Sequence, residues 1–203
     1  MSIITLYAFI FNVLSFSVYS QDYDSYLIAG YKALENKDYL IARQYLDKAI
    51  LNNSNGTLAY LYRGIANMRS KKLEQAESDF KTVINFDKSN DEAYNNLGVI
   101  KCHLKEDCSH SIVYFNQAIQ LNPENSQYFC NRGFAKQKLE DYRGAIIDYN
   151  LAIKYKQDYG YAFFNRGLTK ILSKDLDGGC LDLSKAGELG EIDAYQLIKQ
   201  LCN

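Results

Sequence analysis

Apolar positions fall at helical spacing in two short bursts with a polar break between them, and the double burst recurs about every 34 residues. The fullest copy is 126–159. Its first half places Phe129, Gly133, Lys136 and Leu139 on a helical period, and its second half places Ala145, Tyr149, Ala152 and Ile153 likewise. Glu140-Asp141 marks the break. The pattern predicts two short amphipathic helices joined by a tight turn. Neither helix can bury its apolar face alone, so each pair is expected to bury it against a neighbouring copy.

The other copies keep the phase. The first, about 23–56, carries Tyr26, Gly30, Ala42, Leu46 and Ala49, and ends on Asn55-Gly56, a helix-stop signal. The second, 57–90, carries Tyr60, Gly64, Ala76, Phe80 and Val83. The third, 91–125, carries Tyr94, Leu97, Gly98, Phe115 and Ala118, and Asn122-Pro123 closes it. It is one residue longer, and the extra residue is expected in the turn near Glu106–His110. The fifth, about 160–189, carries Phe163, Gly167, Gly179, Leu183 and Ala186. A last helix, about 192–201, sets Ile192, Tyr195, Ile198 and Leu201 on one side and is expected to cap the array. A glycine inside a helix costs about 1 kcal/mol relative to alanine. Glycines at 30, 64, 98, 133 and 167 therefore predict close helix crossings, with the second-helix alanines opposite and the aromatics filling the space between.

Composition adds three constraints. Hydrophobic residues make up 47% of the 203, enough for a continuous core. The net charge of −1 gives no electrostatic footprint for nucleic acid or an anionic membrane surface. With a single proline, Pro123, the helix ends must be set by Gly, Asn and Asp.

The first 20 residues differ from the rest. Ile3 to Leu14 is an apolar run, Ser15, Ser17 and Ser20 follow, and polarity changes abruptly at Gln21-Asp22. This reads as a signal peptide cleaved before Gln21, although no Lys or Arg precedes the apolar run. The alternatives are an uncleaved membrane anchor, since about 20 residues can span a bilayer, or a buried first helix. The domain reading is thus a leader at 1–20 and one repeat domain at 21–203. The protein is expected to be secreted or periplasmic, and membrane-associated only if the leader is kept.

The repeat resembles the tetratricopeptide repeat (TPR). The family's aromatic-x2-Leu-Gly opening stands as Tyr94, Leu97 and Gly98, and its Ala-x3-aromatic-x2-Ala as Ala145, Tyr149 and Ala152. The resemblance covers about 23–189. Asn-Arg-Gly at 131–133 and 165–167, and the Gly-Gly-Cys-Leu-Asp-Leu tail running to Cys202, look like small exported bacterial members. The chain departs from the pattern in lacking a proline in four of five repeats and in placing Lys101, Lys136 and Lys170 where tyrosine is frequent. The fold implied is an all-α, right-handed α-solenoid of five helix-turn-helix repeats plus a C-terminal capping helix.

Comparison between copies exposes a pairing. Arg63, Arg132 and Arg166 stand just before the glycine in three repeats, and Asp79, Asp148 and Asp182 stand 16 residues later in the same three. In the first repeat these places hold Ala29 and Tyr45, and in the third Leu97 and Tyr114. Charges present or absent together predict three ion pairs between the two helices of a repeat, at least partly buried.

The resemblance also implies a concave groove lined by first helices, in which a partner lies as an extended or helical peptide. Tyr31, Ile65, Val99, Phe134 and Leu168 form one candidate row, which is open to a core reading as well. Leu27, Leu61, Asn95, Cys130 and Phe164 form the next. Asn96, Asn131 and Asn165 add amides that can grip a peptide backbone as donor and acceptor. The places where some members clamp a chaperone's C-terminal carboxylate hold Leu27, Tyr31, Tyr62, Glu92 and Asn96, so no chaperone-tail binding is expected.

The five cysteines sort by position. Cys180 and Cys202 meet if the last helices form a hairpin, and a bridge there would tie down the cap. Cys102 and Cys108 flank the lengthened turn and form a second candidate pair. Cys130 is left over, as a buried hydrophobe or a free thiol. Cys102-His103 and Cys108-Ser109-His110 match no zinc spacing, so no metal is expected. No phosphate-binding loop, nucleophile elbow or cluster of titratable groups appears, so neither a cofactor nor an enzyme is expected. Two functions remain. One is an exported scaffold that holds a protein or peptide in its groove. The other is a spacer or self-associating component of an envelope assembly.

Overall fold

The computed structural model describes residues 22–104 and 107–202, without the side chains of His103 and Leu104. The leader at 1–20 lies outside the described residues. Helix α1 covers 22–35. It is followed by α2 (Tyr39–Asn52), α3 (Thr57–Arg69), α4 (Leu73–Phe86), α5 (Asp91–Val99), α6 (Cys108–Leu121), α7 (Ser126–Lys138), α8 (Tyr142–Tyr155), α9 (Gly160–Leu172), α10 (Leu176–Glu188) and α11 (Asp193–Leu201). No strand occurs among the described residues. The fold is an all-α array of helix pairs of the solenoid class.

The chain forms two compact units, up to Ala93 and from Tyr94 onward. In the first, Ala42, Leu46, Ala49, Ala59 and Ala66 form a core that Tyr23, Tyr26 and Tyr62 pack against. In the second, Phe129, Cys130, Ala145, Tyr149, Ala152 and Ala162 form one core cluster, and Leu183, Ala186 and Ala194 another beneath α11.

The helix ends are set by polar side chains. Asp141 accepts from the Gly144 N–H at 2.9 Å, Asp175 from the Gly178 N–H at 3.0 Å, and Asn125 from the Gln127 N–H at 3.0 Å. Such caps satisfy donors that the first helical turn leaves unpaired. The turn inside a repeat is a left-handed residue: Lys37, Lys71, Glu140 and Lys174 have φ of 64°, 59°, 62° and 72°.

The glycines at 30, 64, 98, 133 and 167 each face the second helix of their own repeat. A Cβ added at Gly30 would stand 2.6 Å from Leu46 Cγ, and at Gly64 2.7 Å from Phe80 Cε1. At Gly98 it would stand 2.5 Å from Phe115 Cε1, and at Gly133 2.9 Å from Tyr149 Cε1. At Gly167 it would meet the Gly179 carbonyl oxygen at 2.9 Å.

One local expectation is corrected. The extra residue of the third repeat is taken up before the cap at Asp107 rather than at 107–110. The first helix continues from α5 into a π-turn, Ile100–Leu104, and the Asp107 N–H reaches back to the Lys101 carbonyl at 2.8 Å. A π-turn absorbs one residue without breaking the helix, so the next helix starts in phase at Cys108, behind its Asp107 cap.

Candidate functional site

The amides lie on first helices of the second unit. Asn131 donates to the Asn95 side-chain oxygen at 2.8 Å, which ties α7 to α5. Asn165 donates to the Tyr161 carbonyl at 2.7 Å, one turn back on α9. Asn96 is 8% exposed, and its amide nitrogen is buried with no hydrogen-bond partner. A buried donor left unpaired costs about 1–3 kcal/mol.

Leu61 and Asn95 are only 4% and 3% exposed, so both pack inside rather than line an open groove. Position 61 turns into the apolar interior, and Asn95 spends its oxygen on Asn131. Phe164 is half-buried against Leu183 and Ala186. Exposed apolar side chains stand elsewhere on the first helices. In the first unit they are Ile28, Tyr31 and Leu58, with the Tyr31 and Tyr62 ring centroids 5.0 Å apart. In the second they are Tyr161 and Leu172.

The charges form clusters rather than simple pairs. Arg132 grips Asp148 through Nε at 2.9 Å and Nη2 at 2.6 Å, while Lys136 reaches the same carboxylate at 2.8 Å. Arg166 and Lys170 hold Asp182 in the same way, at 2.6 Å and 2.8 Å. In the second repeat Arg63 holds Asp79 at 2.6 Å, and Asn67 takes the lysine's role at 3.0 Å.

Each arginine also uses its remaining nitrogen on the preceding repeat. Arg63 reaches Asp47 at 2.7 Å, Arg132 reaches Asn116 at 2.8 Å, and Arg166 reaches Asn150 at 2.6 Å. These partners stand 16 residues before the arginine, mirroring the Asp 16 after it. That symmetry was present in the sequence and marks the third member of each cluster. Lys136 and Lys170 could likewise be found as the residue one helical turn after each arginine.

The aromatic three residues earlier packs on the guanidinium: Tyr60, Phe129 and Phe163 lie 5.3, 5.6 and 5.1 Å from it. Burial works to lower the Arg63 pKa, but its hydrogen bonds to Asp79 and Asp47 outweigh burial and raise it. The first repeat has no Arg–Asp pair at these places. There Tyr26 and Tyr45 stack at 6.5 Å, and Lys48 sits over both rings.

Two disulfides close within the second unit, Cys102–Cys108 and Cys180–Cys202. The second joins α10 to the residue after α11, across 22 residues. Loop-closure entropy gives it roughly 3 kcal/mol. Cys202→Ser is expected to lower the urea midpoint accordingly and to release α11 first. Protection of the α11 amides from hydrogen exchange would be lost, while α7 and α8 keep theirs.

Cys130 is the free thiol, and burial pushes its pKa up to about 12. Burial also raises Tyr149 and Tyr159. These groups stay neutral in the folded chain at a pH where the unfolded chain ionises them. Their stabilisation is therefore complete below the ordinary thiol value of 9.0 and declines as pH rises above it. Unfolding free energy is expected to fall steadily above about pH 9. Iodoacetamide should label Cys130 in the native chain far more slowly than in urea.

Among the described residues no three metal-ligating side chains converge, and no helix is long and apolar enough to cross a membrane.

The tetratricopeptide-repeat family model matches residues 126–159, the stretch whose glycine, alanines and Arg–Asp pair are described above. The chain has the fold of tetratricopeptide-repeat proteins. The same fold occurs in PilW, a widely conserved type IV pilus biogenesis factor. The TM-score is 0.81 at 19% identity, covering 89% of this chain and 86% of that one. MamA aligns with a TM-score of 0.71 at 22% identity, covering 87% and 96%. YrrB, a TPR protein with an unusual peptide-binding site, aligns with a TM-score of 0.68 at 18% identity, covering 86% and 90%. At these identities the likeness is one of fold. No curated protein matches the chain in sequence. Two disulfides in a chain of this fold belong with an oxidising compartment.

Proposed function

We propose that this protein is a non-enzymatic scaffold, exported with its leader removed before Gln21, that holds a protein or peptide along its first-helix faces. The observation that carries this is the Asn96 amide, a buried donor without an acceptor beside the Asn95–Asn131 pair. Buried polar groups are paired in all but a few cases, and an unpaired one calls for a missing partner. A peptide carbonyl is a suitable acceptor, and Asn131 and Asn165 stand in the same register on the next first helices. Exposed Tyr161 and Leu172 supply apolar contact beside them. The peptide-binding site of YrrB, on the same fold, agrees with this reading.

The test is Asn96→Leu. Removing an unpaired buried donor should leave the free chain as stable as before or more stable by about 1 kcal/mol, while partner retention drops at least tenfold. A variant that is destabilised and still binds normally would remove the basis of the reading.

A second reading has its own observation. Leu40, Leu51, Val113 and Leu181 on second helices are 63, 85, 67 and 73% exposed. Apolar side chains exposed in each unit suit a self-associating component of an envelope assembly, and PilW on the same fold is a pilus biogenesis factor. Sedimentation of the purified chain as a monomer at high concentration would remove this alternative.

A further inference from the structure

The three arginine clusters sit in equivalent notches between successive second helices, and one notch differs from the others. Arg63 and Asn67 of α3 floor the notch of the first unit, Arg43 and Asp47 of α2 wall one side, and Gln75 and Ser78 of α4 wall the other. The cleft has a volume of about 290 Å³. In the second unit, the places of Arg43 hold Ile112 and Ile146. Those of Gln75 hold Gly144 and Gly178, and those of Ser78 hold Ile147 and Leu181. Hydrogen-bonding side chains thus stand in one notch where its two counterparts carry apolar residues or glycine. Three coordinated differences at one place are more than a solvated helix surface needs.

The charges in the cleft are unevenly committed. Arg63 is fully engaged by Asp47 and Asp79. Half-buried Arg43 has no hydrogen-bond or ion-pair partner among the described residues, although it lines the same cleft. One free guanidinium flanked by a hydroxyl and a primary amide is a set of donors awaiting an acceptor. A guanidinium takes a carboxylate through two parallel bonds. A dianionic phosphate fits less well, because two carboxylates stand in the same wall and floor and only Arg63 offsets them. The volume holds a group the size of an acidic side chain.

We infer that this cleft is a carboxylate-binding site, with Arg43 as its anchor and Ser78 and Gln75 as supporting donors. The carboxylate comes either from a small free acid or from an Asp or Glu side chain of a partner protein. The site shares no residue with the proposed peptide face: its lining belongs to the first unit, and Asn96, Asn131 and Asn165 to the second. Failure of one reading therefore leaves the other standing.

The test is an NMR titration of the isotope-labelled chain with three probes: L-glutamate, a capped Ala-Glu-Ala peptide and inorganic phosphate. Saturable shifts are expected at Ser78, Gln75 and the Arg43 side chain with glutamate or the peptide, in the millimolar range, and weaker ones with phosphate. Arg43→Ile, which installs the residue of the counterpart notches, should weaken binding at least tenfold and leave the melting temperature unchanged. Binding of glutamate as well as the peptide means a free acid suffices, and binding of the peptide alone means a protein partner. No saturable shift with either, or an Arg43→Ile variant that responds like the parent, would overturn the proposal.

Discussion

Asp148→Ala is expected to lower the unfolding free energy by about 3 kcal/mol, measured by urea titration of the helical circular dichroism signal. Asp148 is fully buried and is held by both Arg132 and Lys136. Its loss leaves two cations facing each other without their carboxylate, and breaking a buried pair costs about 3–5 kcal/mol. The lower end applies because Arg132 and Lys136 keep 18% and 21% of their side-chain surface and can partly rehydrate. The cost comes from the stranded charge, so removing all three charges together should hurt less. Arg132→Met, Lys136→Met and Asp148→Leu combined are expected to lose well under the single-mutant amount. A loss below 1 kcal/mol for Asp148→Ala, or for Arg132→Ala, would show that the clusters add little stability.

Gly179→Ala should cost about 2 kcal/mol in the same assay. A Cβ there would lie 2.5 Å from Ile171 Cγ1 and 2.8 Å from the Gly167 carbonyl oxygen. The side chain can turn away, but the carbonyl belongs to the backbone of α9 and cannot. Overpacking of this kind costs about 1–3 kcal/mol, against a gain of about 1 kcal/mol from alanine's helix propensity. The upper part of the range applies because backbone meets backbone. Gly133→Ala is the control: its new Cβ meets the Tyr149 ring at 2.9 Å, the ring can tilt, and the net effect should be close to zero. Equal losses at both positions would contradict this distinction between backbone and side-chain contact.

Most of the architecture was legible because the sequence contains its own comparison. Gly64, Gly98 and Gly133 share one phase, and in the structure all three face an aromatic ring of the partner helix. The Arg63–Asp79, Arg132–Asp148 and Arg166–Asp182 contacts followed from the same copies, through charges that come and go together. The candidate face was less legible. Helical spacing gives the direction of a side chain but not its depth. Spacing places Leu61 and Asn95 in a first-helix groove row, yet both are buried. Exposed Ile28 and Leu58 were not singled out, because a period shared with the core hides which apolar residue is left uncovered. The extra residue in the third repeat was displaced for a related reason. A count of residues shows that one is added, but a helix can absorb it as a π-turn at Ile100–Leu104 before the turn begins.

The central claim is that first helices, not second helices, meet the partner. The most direct measurement is in-cell photocrosslinking with a photoreactive residue placed in turn at Tyr161 on α9 and at Leu181 on α10. Both positions are exposed, at 38% and 73%, so each probe can reach a neighbour. The account predicts one defined crosslinked partner from position 161 and none from position 181. A defined partner from 181 with nothing from 161 would contradict it.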